Sequence, residues 1–203
     1  DMVWIGARTT GNPFSVQEVA DALRGTEVLV LVKNAQMPDT GLWTGAVERM
    51  LAAGVGPERL VLVHRGFAQT SGNEYRNPPV WHVALEMRRR FPELKMLCDP
   101  SHICGRREGL AATAQKAADL SYDGLFMESH VRPDEALSDA AQQVTPEQLG
   151  ELLAGIRWRR ETVDVPQFEA DMERLRLEID QIDAQLFALL SRRMGIAEDI
   201  GLS

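Results

Sequence analysis

Over the first 157 residues, short apolar runs alternate with longer amphipathic stretches. The runs are Met2 to Ala7, Val28 to Val32, Leu60 to Val63, Lys95 to Cys98 and Leu125 to Met127. They are apolar on successive residues, the pattern of strands buried on both faces of a parallel sheet. Ser15-Val16-Gln17-Glu18 spells a capping box ahead of one amphipathic stretch. Thr145-Pro146-Glu147-Gln148 spells another, with Pro at the first helical position. Leu42 to Ala53, Val80 to Phe91 and Glu108 to Leu120 supply the other helices. The repeat is strand then helix, at roughly 30 residues per unit with right-handed crossovers, which predicts an α/β fold.

A doubly wound sheet and a (β/α)8 barrel share this alternation, and the polar residues separate them. A doubly wound sheet gathers its chemistry at one switch point, commonly with a glycine fingerprint, which this sequence lacks. A barrel carries its chemistry at the carboxyl ends of many strands. Here all five ends are polar: Arg8, Lys33-Asn34, His64-Arg65, Asp99 with His102, and Glu128 with His130. The expected fold is therefore a partial TIM (β/α)8 barrel of about five of the eight units, followed by a long α-helix from an all-α domain. A five-stranded arc leaves two sheet edges open, and the chain starts at Asp1 next to a strand and stops inside a helical pattern. A fragment, with three strands upstream, is the expectation.

The 203 residues are 44% hydrophobic and 26% charged, a globular balance. A net charge of −8 argues against the wide basic face of a general nucleic-acid binder. No apolar run approaches the roughly 18 residues of a membrane span, and no signal core follows the amino end, so a cytoplasmic protein is expected. Cys98 and Cys104 are the only cysteines and are expected to be reduced thiols.

In this acidic chain, Arg8, Lys33 and Arg65 stand at three consecutive strand ends. Arg binds oxyanions as a fork and Lys as a point charge, so the triple suits a phosphate or carboxylate. Taken singly, each is as readily a solvated or acid-paired charge. Beyond them, His102, Glu128 and Asp139 offer one imidazole and two carboxylates. Such a set suits Mn, Fe or Zn, although satisfied loop polar groups would look the same. His64, His82 and His130 are ambiguous, with His82 on a helix better suited to a surface or core role. An ion beside an anion grip points to a phosphorylated substrate joined or cleaved at a carbonyl.

Five segments in chain order carry a family resemblance: Ile5-Gly6-Ala7-Arg8-Thr9-Thr10, Leu31-Val32-Lys33-Asn34, His64-Arg65-Gly66-Phe67, Asp99-Pro100-Ser101-His102 and Met127-Glu128-Ser129-His130, with Ser138-Asp139 after them. Together they resemble 3-deoxy-D-arabino-heptulosonate 7-phosphate (DAHP) synthase over residues 1 to about 157. The resemblance implies a TIM barrel that condenses phosphoenolpyruvate with erythrose 4-phosphate, the first step of the shikimate pathway of aromatic amino acid biosynthesis. It implies Arg8, Lys33 and Arg65 as phosphoenolpyruvate binders and His102, Glu128 and Asp139 as metal ligands. Lys33, Arg65 and His102 would be catalytic. The implied cofactor is a divalent metal, Mn2+ first, with Fe2+, Zn2+ or Co2+ as alternatives. The family's fourth ligand, a Cys in Gly-Pro-Cys, and its Lys-Pro-Arg-Thr loop for erythrose 4-phosphate have no counterpart here. Cys98 and Cys104 do not match that ligand, so the fragment alone is expected to be inactive. The enzyme alternative is the related 3-deoxy-octulosonate 8-phosphate synthase, from which the missing loop would separate it.

The polar run from Arg157 to Pro166 reads as a linker, set at residues 158–167 between a barrel part at 1–157 and a helix at 168–203. In the helix Met172, Leu175, Ile179, Ile182, Leu186 and Leu189 recur at spacings of three and four, which a plain dimerising coiled coil would also show. Leu175 to Asp183, Leu189 to Met194 and Ile200-Gly201 resemble the first helix of the all-helical chorismate mutase family. That resemblance implies a bifunctional enzyme that also rearranges chorismate to prephenate, with Arg176 and Arg193 binding carboxylates and a homo-oligomer formed through this helix. A DAHP synthase whose mutase-like helix only regulates or dimerises is the other alternative.

Overall fold

A computed structural model describes residues 1–69, 74–159 and 166–201. The chain divides into two compact units, Asp1–Arg159 and Arg160–Ser203. In the first, β1 (Met2–Ile5), β2 (Leu29–Lys33), β3 (Leu60–His64), β4 (Lys95–Cys98) and β5 (Gly124–Leu125) form one sheet. All neighbours are parallel and the order is β1-β2-β3-β4-β5. An order that never reverses has no switch point; it is the order of consecutive units in a barrel. Around the sheet run α1 (Ala7–Thr10), α2 (Pro13–Leu23), α3 (Thr40–Ala52), α4 (Trp81–Arg90), α5 (Pro100–Cys104), α6 (Leu110–Asp119) and α7 (Pro146–Gly155).

Several boundaries shift by a residue or two from the sequence expectation, and three of the differences bear on the site. The first strand stops at Ile5 instead of Ala7, because Thr10 Oγ1 donates to the Lys33 carbonyl at 2.7 Å and tacks α1 across the end of β2. Arg8 therefore sits on a helical turn and not on a strand tip. The α2 cap is Asn12, not Ser15: its side-chain oxygen accepts from the backbone N of Phe14 and Ser15, with Pro13 opening the helix. The last strand is only Gly124–Leu125, after which the chain leaves the sheet toward Glu128. At Thr145 the expected capping box has both arms, Gln148 N to Thr145 Oγ1 at 3.2 Å and Thr145 N to Gln148 Oε1 at 3.0 Å.

Burial on both faces holds for β2 and β3 but not for β1. β1 pairs only with β2, and Met2 and Trp4 are 58% and 55% exposed. On the helix-facing side, Val30, Val32, Leu60, Leu62, Met96 and Cys98 pack with Trp43, Val47 and Met50 of α3 and Ala84 and Met87 of α4. Pleat parity then decides which strand-end groups reach the other face. Side chains alternate along a strand, so His64 and Cys98, paired in register, go with Leu62 and Met96 toward the helices. Lys33 pairs with Val63 and shares the opposite face.

His64, expected at the strand-end site, is thus a core residue. It is wholly buried among the rings of Trp43, Phe67, Trp81 and Tyr122. Nε2 donates to the Pro79 carbonyl at 2.6 Å and Nδ1 accepts from the Tyr122 hydroxyl at 2.9 Å, which requires the neutral ring. Val80 next to it adopts φ +42°, strained for a β-branched residue, in the turn that presents Pro79. Burial lowers the His64 pKa to about 4. The unfolded chain therefore binds a proton that the folded one refuses between about pH 6.5 and 4, so stability is full above that window and falls as the solution is acidified through it. The loss should approach about 3 kcal/mol, and replacing His64 by Gln should flatten the slope of urea-unfolding free energy against pH there. An unchanged slope in the variant would contradict the neutral-ring assignment.

Cys98 and Cys104 are free and buried, as expected of reduced thiols. His82 lies on α4. The second unit contains α8, Pro166–Gly201, a single helix of 36 residues. Most of the expected linker, residues 160–165, lies outside the described residues. No helix among the described residues is long and apolar enough to cross a membrane.

Candidate active site

Backbone bonds continue the sheet just past the strands and hold the tips that carry the chemistry. Asn34 N donates to the Val63 carbonyl at 3.1 Å, Asp99 N to His64 at 2.8 Å, and Phe126 N to Cys98 at 2.7 Å. These tips open into a cleft of about 890 Å3 whose lining includes Arg8, Lys33, Arg65, His102, Glu128 and Asp139. The six residues that the resemblance implied as anion binders and metal ligands thus line one cavity.

Lys33 and Arg65 are buried cations, and each is held by specific partners. Lys33 Nζ lies 2.9 Å from Asp99 Oδ2 and 4.3 Å from the centre of the Phe126 ring. Arg65 Nη1 donates to Asn77 Oδ1 at 2.9 Å, and its backbone N donates to Asn34 Oδ1 at 2.7 Å. Burial pushes the Arg65 pKa down, with Asp99 opposing and Arg76 reinforcing the shift, yet a guanidinium stays charged at neutral pH. Arg8 is exposed at the rim.

Ligand atoms of His102, Glu128 and Asp139 lie within 4.8 Å of one another. His102 rides on α5, whose first turn is capped by Asp99 Oδ1 accepting from the His102 backbone N at 3.0 Å. Its Nε2 is 3.7 Å from Glu128 Oε1. Its Nδ1 is 2.9 Å from Asp99 Oδ2, a short contact not aligned as a hydrogen bond. Glu128 Oε2 accepts from Gln142 Nε2 at 2.8 Å. Asp139 Oδ1 lies 2.6 Å from Arg76 Nη1, which also donates to Gln142 Oε1 at 2.9 Å. That Arg76 bond holds the Asp139 carboxyl below its usual range, against partial burial. For Asp99, burial opposes ionisation, but His102 and Lys33 together outweigh it and hold its pKa below the usual carboxylate range. One nitrogen and two carboxylates in this span fit a divalent ion such as Mn2+.

Arg76, Asn77 and Gln142 support the cleft and had no role in the sequence reading, which took Asp99 only as a polar strand end beside His102. For Asp99 the signal was present, since Asp before Pro at the end of a strand reads as a helix cap. Arg76 and Asn77 come from the long segment between β3 and α4, which carries no periodicity. His130 is half-buried and its Nδ1 engages the backbone of Arg132. Arg176 and Arg193 lie exposed on α8 in the second unit and are described there alone.

A parallel α/β arc whose strand tips converge on one cleft is the setting of a barrel enzyme's active site. The model of the DAHP synthetase I family matches residues 1–163, and the chain belongs to that family. A curated relative, phospho-2-dehydro-3-deoxyheptonate aldolase of Thermotoga maritima, is 29% identical over 153 residues, 75% of this chain and 43% of its own. Among solved structures, a truncated form of 3-deoxy-D-arabino-heptulosonate 7-phosphate synthase from the same organism has a TM-score of 0.65 at 27% identity. It is matched over 76% of this chain and 56% of its own. The crystal structure of phospho-2-dehydro-3-deoxyheptonate aldolase (DAHP synthase) from that organism also has a TM-score of 0.65, at 26% identity, over 76% and 43%. The chain thus spans about half the length of these relatives. The octulosonate synthase alternative is not favoured by these likenesses.

Proposed function

We propose that this chain supplies the phosphoenolpyruvate grip and metal ligands of a DAHP synthase. The carrying observation is that cations and a nitrogen-oxygen-oxygen trio line one cleft in a chain of net charge −8. Lys33 and Arg65 take the phosphate and carboxylate of phosphoenolpyruvate, and Arg8 adds charge at the rim. Because Asp99 and Asn77 already restrain these two cations, little side-chain freedom is lost on binding. With both anionic ends held, C3 of the enol is presented to the aldehyde carbon of erythrose 4-phosphate. His102, Glu128 and Asp139 would hold Mn2+, with Fe2+, Zn2+ or Co2+ as substitutes, and the ion supplies Lewis-acid polarisation of the aldehyde oxygen. The new carbon-carbon bond forms at C3, water adds at C2, and the C2–O bond to phosphate breaks. Lys33 and Arg65 meet the charge on the departing phosphate. In an enzyme that also carries the Gly-Pro-Cys ligand and the Lys-Pro-Arg-Thr loop, phosphate release from phosphoenolpyruvate should require both erythrose 4-phosphate and a divalent ion. Turnover with a five-carbon sugar phosphate instead would restore the octulosonate reading.

For α8 we propose a chorismate mutase role, giving a bifunctional enzyme with chorismate and prephenate as further ligands. Arg176 and Arg193 are 17 positions apart on one continuous helix, roughly 25 Å at 1.5 Å per residue. One small dicarboxylate cannot reach both, so the two arginines serve different sites and a second copy of the helix completes each. In that copy Leu175, Ile179, Ile182, Leu186 and Leu189, exposed in the single chain, find their cover. The rearrangement needs no cofactor, only a compact bound conformer and charge on the ether oxygen. Disappearance of chorismate absorbance in wild type, and its loss in Arg176→Ala, tests this. Prephenate binding without chorismate consumption would leave the helix a regulatory or dimerising module.

A further inference from the structure

We propose that Asp99 is the positioning residue of the cleft: one buried carboxylate orients the His102 ring for metal binding while anchoring Lys33 at the anion site. The inference rests on the metal-site reading above and adds a residue to it. Asp99 is wholly buried, and three groups converge on it. Oδ1 caps α5 through the His102 backbone N at 3.0 Å, while Oδ2 takes Lys33 Nζ at 2.9 Å and stands 2.9 Å from His102 Nδ1. A carboxylate without solvent is costly unless such partners compensate it, so the geometry resists rearrangement.

The consequence falls on the imidazole. Asp99 Oδ2 is a charged acceptor 2.9 Å from Nδ1, though off the line of a straight hydrogen bond, and no other described residue bonds this buried nitrogen. Asp99 therefore favours the proton on Nδ1 and leaves the Nε2 lone pair free. Nε2 is the nitrogen that faces Glu128. An imidazole whose far N–H meets a carboxylate is both better oriented and more basic as a metal ligand, and removing such a partner costs roughly 10–100-fold in affinity. The same Oδ2 holds Lys33, so the anion grip and the metal ligand share one anchor.

Asp99→Asn keeps an oxygen to cap α5 and removes the charge. A role confined to capping would leave ion binding as it was. We expect Mn2+ affinity of the chain, measured by calorimetric titration, to fall roughly 10–100-fold in Asp99→Asn. Should the variant not fold, nitrogen-15 NMR of the metal-free wild type above neutral pH decides. His102 is expected protonated on Nδ1 and bare on Nε2. Equal Mn2+ binding by the two proteins, or a proton on Nε2 of wild type, would overturn Asp99's role alone. Absence of Mn2+ binding in wild type would overturn the metal-site reading together with it.

Discussion

In an enzyme that also carries the Gly-Pro-Cys ligand, the Lys-Pro-Arg-Thr loop and the rest of the mutase-like domain, replacing His102 by Ala is expected to lower Mn2+ affinity by more than about 100-fold and to stop condensation, while chorismate consumption continues. His102 is the only nitrogen in the trio, and the two acids left behind are already engaged, Glu128 by Gln142 and Asp139 by Arg76. Two such carboxylates make a weak, hard site that holds an ion poorly. The substitution should spare the fold, because the bond that caps α5 uses the His102 backbone N and not its ring. Manganese titration followed by electron paramagnetic resonance reads the first effect, and paired activity assays read the second. Loss of both activities in a folded variant would contradict two separate sites.

Gly66→Ala should destabilise the first unit by about 2–5 kcal/mol, joining a left-handed backbone penalty to overpacking. Gly66 has φ +74°, and a Cβ there would stand 2.1 Å from the Asn77 carbonyl oxygen, a backbone atom with no rotamer to escape through. The same few residues support the anion grip. Asn34 donates to the Gly66 carbonyl at 2.8 Å, and Asn77 holds Arg65 and donates to the His102 carbonyl at 2.6 Å. Phosphoenolpyruvate affinity should fall with stability for that reason. Gly54 is the control: its φ is +92° but nothing lies within 4 Å of its would-be Cβ. Gly54→Ala should cost only about 1–2 kcal/mol, the backbone penalty alone. Equal urea midpoints for the two variants would contradict the tight approach at Asn77.

Strand identity and order were legible because a strand covered on both faces must be apolar on successive residues, as Val30 to Val32 and Leu60 to Val63 are. Arg8, Lys33, Arg65, His102 and Glu128 could be picked out because each follows such a run or its helix cap, and Asp139 because the Ser138-Asp139 pair completes the family resemblance. Their mutual support could not. Asn77, Arg76 and Gln142 sit in irregular segments, and what they touch depends on where the chain returns, as with Arg76 and Asp139, 63 positions apart. His64 shows a signal that was present and unused: it lies two residues after Leu62, so pleat parity already places it on the helix side, opposite Lys33. The helix start at Ser15 was misplaced because Asn12-Pro13 is an equally good opening and lies earlier. The early end of β1 depends on the long-range bond from Thr10 to Lys33, which no local pattern encodes.

The most direct test of the central claim is a crystal structure of the protein grown with Mn2+ and phosphoenolpyruvate. Anomalous density is expected within about 2.0–2.3 Å of ligand atoms of His102, Glu128 and Asp139, with the phosphate or carboxylate of the enol against Lys33 and Arg65. Manganese bound elsewhere, or a substrate that touches neither cation, would contradict the account.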